Sequence, residues 1–330
     1  MSGLNISLDY SRFCGIVSRE EWLDINEYIR ARTGLWADYS NAHPTKIGKW
    51  YEKSGRSECG GLATAINTMH GGEMYDITLQ LSGTGMATMS MIEQIDYFKY
   101  LVDKGLHCTR LDMAIDDYEW GISTDELEAA IRDKNIKHQK TGTIIKGFYD
   151  NSYTYGFGAR SSPRYVRLYN KMAESGGKTN CQRLEAEYKG ELARDMGYSL
   201  ANWVGAEGKL TTYIARCVVG SIDFIDRSHD TNISRCPRLA WWQAFVDRVG
   251  EGIRPAVSPV VTTIEKSKNW IATQVRNTLA MIREAISYDE FYTWIEGELA
   301  LAQADLSARH YDAITRYREL AGLDREIIPV

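Results

Sequence analysis

The chain has 330 residues, of which 44% are hydrophobic and 25% charged, the proportions of an ordinary globular protein with one large domain or two. No apolar run reaches bilayer-spanning length and the amino terminus lacks the basic-then-apolar layout of a secretory signal, so a cytoplasmic protein with no membrane partner is expected. The six cysteines include no Cys-x-x-Cys pair, which argues against a disulfide framework or a zinc site and for reduced thiols.

Net charge is −5, yet it is unevenly spread. Residues 136–178 carry eight Lys or Arg against two Asp or Glu, residues 209–276 carry ten against six, and residues 277–330 five against ten. A basic middle followed by an acidic tail can hold phosphates locally without making the whole chain cationic.

In chain order, residues 18–32 read as a helix. Ser18 is its N-cap, acids fill the first turn, and Trp22, Ile25 and Ile29 fall at helical spacing. Residues 74–82 alternate as a strand and run into a Ser-Gly-Thr-Gly turn. Residues 88–104 read as a second helix closed by Gly105. A strand over 108–117 follows, then a helix from Ser123 to about residue 133, with Glu126 completing a capping box. Residues 143–150, 153–159 and 164–170 read as three strands joined by polar turns, and 182–189 as a fourth. Beyond Gly190 the pattern is helical, with candidates at 264–285, 288–303 and 305–321. The expected fold is α+β: a largely antiparallel central sheet with helices packed on one face, followed by a mostly helical C-terminal region, divided near 205 into residues 1–205 and 206–330.

Three strands divide their chemistry by face, because residues two apart on a strand point the same way. Arg110-Leu-Asp-Met-Ala-Ile-Asp116 aims Arg110, Asp112 and Asp116 one way and Leu111, Met113 and Ile115 the other. Tyr165-Val-Arg-Leu-Tyr-Asn-Lys171 gathers Tyr165, Arg167, Tyr169 and Lys171. Arg183-Leu-Glu-Ala-Glu-Tyr-Lys189 gathers Arg183, Glu185, Glu187 and Lys189. If the strands share a sheet, a tyrosine, cations and carboxylates converge on one exposed patch, which is the inventory of metal-assisted phosphoryl transfer. A tyrosine, with a pKa of about 10, is a weak nucleophile at neutral pH. Arg167 and Lys171 flank Tyr169 and can meet the charge that develops on phosphate. Hard carboxylate ligands favour Mg²⁺ or Mn²⁺ over zinc. Asp112 and Asp116 lie roughly 13 Å apart along a regular strand, too far to share an ion, so an Asp of one strand with a Glu of another is expected. Asp112 with Glu185 is preferred, and Asp116 and Glu187 are second choices. Tyr165 is the rival nucleophile. Arg110, Arg160, Arg164, Arg183, Lys189 and Lys146 are the candidate DNA contacts. The basic 136–178 stretch also carries Phe148, Tyr149, Tyr153, Tyr155 and Phe157, an interleaving of rings and cations that suits unpaired bases.

These segments, with Leu79-Gln-Leu-Ser-Gly-Thr-Gly85 and Gly158-Ala-Arg-Ser-Ser162, resemble the replication initiation factor (Rep_trans) family in order over roughly residues 75–190. The family's members start rolling-circle replication of small plasmids and of some phages and integrated elements. The resemblance implies an origin-specific DNA nickase with topoisomerase-like closing activity. Its nucleophile, the tyrosine before Asn-Lys, is Tyr169, which becomes joined to the 5′ end and frees a 3′-hydroxyl. It also implies origin DNA as partner (single-stranded or cruciform at the nick, duplex at the recognition site), a homodimer and a host helicase. Residues 1–205 would then be the nicking domain and 206–330 the origin-recognition region. There is no His-x-His, so carboxylates would carry any metal. Two other readings are a non-catalytic, repressor-like DNA-binding protein that keeps the fold, and a glycosidase built on the Asp/Glu pairs; the interleaved Arg and Lys disfavour the latter.

Overall fold

The computed structural model describes residues 3–39, 51–137, 141–148, 151–228, 230, 232–250, 252, 255, 264, 267–268, 271–304, 306, 311, 314–315 and 317–318. It separates into two compact units, Met1–Pro255 and Ala256–Val330. The first contains β1 (Leu4–Ser18), α1 (Arg19–Thr33), β2 (Lys53–Arg56), β3 (Leu62–Met69), β4 (Met74–Leu81), α2 (Gly83–Met86), α3 (Met91–Asp103), β5 (His107–Asp117) and α4 (Thr124–Arg132). It continues with β6 (Ile136–Lys137), β7 (Gly142–Lys146), β8 (Tyr153–Phe157), β9 (Arg164–Asn170), α5 (Lys171–Glu174), β10 (Gln182–Lys189), α6 (Gly190–Ala201), α7 (Glu207–Val219), β11 (Asp223–Phe224) and α8 (Ala240–Val249).

Nine strands form one sheet in the order β2-β3-β4-β1-β5-β10-β9-β8-β7, and every described pairing in it is antiparallel. The α+β architecture expected from the sequence is therefore the observed one. The central trio β1, β5 and β10 carries the core. Leu111, Met113, Ile115, Leu184, Ala186 and Tyr188 are all buried on one face, against which α6 and α7 pack. Gly197 lets α6 approach closely, since a Cβ there would lie 2.5 Å from the Cβ of Cys108. The Tyr188 hydroxyl donates to the carbonyl of Cys217 at 2.9 Å, tying sheet to α7.

The helix expected at 18 begins at its predicted cap, the one expected at 88 begins at Met91, and at α4 Ser123 accepts from the Glu126 backbone, one half of the expected box. Ser18 and Glu21 make a reciprocal capping box on α1, and Ser90 and Glu93 make another on α3, each satisfying two backbone donors that have no partner within the helix. α1 ends at Gly34, whose φ of 69° is the left-handed conformation that favours glycine. Trp241 and Trp242 are a packing pair against Phe224, with Trp242 wholly buried.

β1, β2 and β3 are additions to the sequence reading. β1 is hard to see because its alternation is broken by a register shift between Leu8 and Tyr10, where Asp9 is an extra residue that swaps the faces. The expected division near 205 falls inside the first unit, because α7 and α8 bury Leu210, Ile214, Val218, Trp242 and Phe245 in the same body as the sheet.

In the second unit, a wide turn at Ile271–Val275 leads into α9 (Arg276–Ala285), and α10 (Tyr288–Ala304) follows. Of the helix expected from 264 to 285, the described residues 264, 267 and 268 are helical and Arg276–Ala285 is a regular helix, and most of 305–321 lies outside the described residues. Among the described residues no helix is long and apolar enough to cross a membrane.

Candidate active site on the charged face of the sheet

The face of the sheet opposite α6 and α7 collects the charged residues, and the register decides who meets whom. Across β5 and β10, Asp116 stands opposite Arg183, Ala114 opposite Glu185, Asp112 opposite Glu187 and Arg110 opposite Lys189. Across β10 and β9, Arg183 stands opposite Tyr169, Glu185 opposite Arg167 and Glu187 opposite Tyr165.

Tyr169 and Glu185 are thus diagonal neighbours, within reach for a long ring. The Tyr169 hydroxyl donates to Glu185 Oε2 at 2.9 Å, and Arg167 donates to Glu185 Oε1. The guanidinium of Arg167 lies 5.6 Å from the Tyr169 ring centre, and the Lys171 ammonium 5.8 Å. Lys171 is the first residue of α5 rather than the last of a strand, and it pairs with Glu174 at 2.8 Å. Tyr165, the rival, is buried beneath Arg160 with its hydroxyl above Gly156, on a side where no carboxylate meets it among the contacts described. Of these two phenols, the one joined to an acid is that of Tyr169.

Burial, then the charge of Glu185, raises the pKa of Tyr169, against the opposing pull of Arg183 and Arg167. In the resting protein the group is a phenol and not a phenolate, hydrogen-bonded to a carboxylate at a distance suited to proton transfer.

The acids are deeply placed, with Asp112 2%, Glu185 1% and Tyr169 6% exposed. The expected convergence is present, but the expected open patch is a closed ion-pair lattice. Arg183 makes a two-pronged contact to Asp116 and a further one to Asp9 of β1. Arg110 grips both oxygens of Asp112, at 2.9 and 2.6 Å, and reaches Glu187 at 2.9 Å. Lys189 pairs with Glu187 and donates to the carbonyl of Arg160. This closure follows from physics, since a buried carboxylate without a partner is expensive.

Asp112 is pushed up to about 7, by burial first and then by the neighbouring charges of Glu185 and Glu187, with Arg110 acting against them. That carboxyl sits where negative charge is in excess. Among the described residues no three His, Cys, Asp or Glu gather as a metal cage. A hard cation at these acids would have to take few protein ligands and keep water or phosphate oxygens for the rest. All four acids have both oxygens engaged: Asp112 by Arg110, Glu185 by Tyr169 and Arg167, Asp116 by Arg183, and Glu187 by Arg110 and Lys189. A cation held by Asp112 and Glu185 would have to use the second lone pair of each oxygen.

The six DNA-contact candidates separate. Arg110, Arg183 and Lys189 are on the charged face, and Arg160 is exposed on the turn that leads to β9. Arg164 is on the helix-side face, over the Tyr188 ring and bonded to the carbonyl of Pro255. Lys146 pairs with Glu128 of α4, which also accepts from the Tyr155 hydroxyl on the helix-side face. Of the five aromatics, Tyr155 and Phe157 are in the core, Tyr153 accepts from Gln182, Phe148 is 95% exposed, and Tyr149 lies outside the described residues. Asp9, Tyr10 and Arg12 of β1 also lie among these charges and were missed from sequence. The Leu4-x-Ile6-x-Leu8 alternation is the signal that points to them.

A profile of the replication initiation factor family matches residues 106–297, more than half of the chain and the whole of the strand set that carries Tyr169 and the acids. The chain belongs to the replication initiation factor family. It is 25% identical over 245 residues to a Bacillus subtilis (strain 168) protein described as "Putative DNA relaxase NicK", a match spanning 67% of this chain and 65% of that relative's length. The structure of the rolling circle replication initiator protein from Geobacillus stearothermophilus is similar in fold, with a TM-score of 0.58 and 21% identity. That likeness covers 78% of this chain and all of that one.

Proposed function

We propose that this family member is a site-specific DNA nicking-closing enzyme that initiates rolling-circle replication, with Tyr169 as nucleophile. The observation that carries this reading is the hydrogen bond from the Tyr169 hydroxyl to Glu185, flanked by Arg167 and Lys171. The Tyr169 oxygen attacks the scissile phosphorus as its proton passes to Glu185. A phosphorus–tyrosine bond forms at the 5′ end, and the bond from phosphorus to the 3′ oxygen breaks. Arg167 and Lys171 face the charge that grows on the phosphoryl oxygens. Bond energy is conserved, so the step needs no nucleotide hydrolysis and the 3′-hydroxyl can reverse it. Asp112 and Glu185 would hold Mg²⁺ or Mn²⁺, which when bound supplies Lewis-acid polarisation of the phosphate.

The test is to incubate the chain with supercoiled plasmid carrying the DNA that surrounds its own gene, with Mg²⁺ or Mn²⁺. Nicked circle and a detergent-resistant protein–DNA adduct are expected. An adduct that persists in Tyr169→Phe overturns the assignment of the nucleophile. Salt-sensitive binding without cleavage supports the second reading, a non-catalytic DNA-binding protein, which the near-complete burial of Tyr169 favours. The same proposal includes a homodimer, a host helicase and origin recognition by the helices after 205. Replacing that segment with a relative's is expected to change which origin is nicked.

A further inference from the structure

The charged face has a second feature that catalysis at Tyr169 does not use. Arg12, Arg110 and Lys189 stand directly opposite one another on β1, β5 and β10, three cations in one row across three adjacent strands. Like charges facing each other across strands are unfavourable, so such a row needs a reason. Arg110 and Lys189 are partly balanced by Asp112 and Glu187. Arg12 has no carboxylate partner among the described residues. Its guanidinium donates to the Tyr10 hydroxyl at 2.9 Å and to Gln80 Oε1 at 3.3 Å. Tyr10 organises the row, because Arg110 also lies over its ring at 4.3 Å. The cations are partly exposed where the acids behind them are not: Arg110 and Lys189 side chains are 25% and 27% accessible, and Asp112 and Glu187 each 3%.

We infer that Arg12, Arg110 and Lys189 form a subsite for the phosphodiester backbone of single-stranded DNA beside the nick, with Arg12 supplying the uncommitted charge. The inference rests on the nicking reading and adds where the substrate strand runs. Lys189 is four residues from Glu185 on β10, about 13 Å along a regular strand. At about 3.4 Å or more per nucleotide along a strand, the row would hold a phosphate roughly two to four nucleotides from the one that Tyr169 attacks. Arginine suits this role because its planar fork matches two phosphate oxygens at once.

The test is equilibrium binding of the full chain to a fluorescein-labelled oligothymidylate, followed by anisotropy across a salt series for wild type, Arg12→Gln and Arg12→Lys. Arg12→Gln is expected to bind about fivefold more weakly at about 0.1 M salt, and its slope of log K against log [salt] to shrink by about 0.7, the signature of one lost phosphate contact on a single strand. Arg12→Lys keeps the charge and is expected to keep the slope. A wild-type slope in Arg12→Gln overturns the subsite. So does equal weakening by both variants with no change of slope, because Arg12 would then serve only to hold Tyr10. The readout needs no cleavage. A chain that binds with the expected slopes but forms no adduct sinks the nicking reading alone, and one that forms the adduct with an unchanged Arg12→Gln slope sinks the subsite alone.

Discussion

The two faces of the central sheet are made by the same strands, residue by alternate residue, and they are stabilised by different physics. On the helix-side face Leu184 packs between Ile115 and Leu168, and the gain scales with area removed from water. Any apolar neighbour of the right size serves. On the charged face the next residue, Arg183, must meet Asp116 and Asp9 in particular. There a wrong register would leave a charge buried and unpaired. The apolar face tolerates substitution by degree, and the charged face specifies the alignment of β1, β5, β9 and β10.

The sharpest way to break the comparison is to separate chemistry from stability at one position. Tyr169→Phe deletes the nucleophile and is expected to lower adduct formation by on the order of 10³-fold or more. Glu185 keeps Arg167, so the loss of one hydrogen bond is expected to cost only about 1 kcal/mol of unfolding free energy in urea titration. A variant that unfolds readily, or one that still forms adduct, would show that Tyr169 belongs to the scaffold.

The lattice should respond more steeply than the grease, and in a different pattern. Arg183→Met leaves Asp116 without its two-pronged partner and is expected to lose about 3–5 kcal/mol. Adding Asp116→Leu to that variant is expected to recover much of the loss, since a buried pair replaced by apolar groups is often nearly neutral. Leu184→Ala, one residue along the same strand, is expected to cost about 2–5 kcal/mol through the cavity it leaves, with no single second substitution at a partner restoring it. Urea midpoints of these four proteins and of Asp116→Leu alone check both patterns. Additivity of the Arg183 and Asp116 losses would show that these side chains act independently.

The alternation of faces was legible in the sequence because a strand's period is two, and it correctly placed Tyr169, Arg167, Glu185, Asp112 and Lys189 on one side. The pairing of Asp112 with Glu185 was legible only as two strands, two acids. The register instead sets Asp112 opposite Glu187 and Glu185 diagonal to it, and no local pattern encodes which offset between β5 and β10 is adopted. Closure of the site was not legible at all. It depends on Asp9, which is 174 positions from Arg183 in the chain and is the bulged residue that hides the period of its own strand. Arg164 and Lys146 were named as DNA contacts from local charge alone, and a count of charge does not say that both take the helix-side face of the sheet.

The smallest expected effect tests the charge balance of the lattice directly. Asp112 is raised from an ordinary 3.8 to about 7, chiefly by burial and then by Glu185. The folded protein therefore binds a proton that the unfolded chain has released between those values. Stability falls as pH rises wherever the native state holds more protons, so this group's contribution is full below about pH 4 and is lost as pH climbs through about 7. In chelator, the melting temperature of the wild type is expected to slope downward across that window by a few degrees relative to Asp112→Asn, which has no proton to lose. Mn²⁺ bound between Asp112 and Glu185 would favour the charged carboxyl and is expected to flatten the wild-type slope toward that of the variant. A slope that Mn²⁺ leaves untouched would place the ion elsewhere, and one that survives in Asp112→Asn would assign the titration to another group.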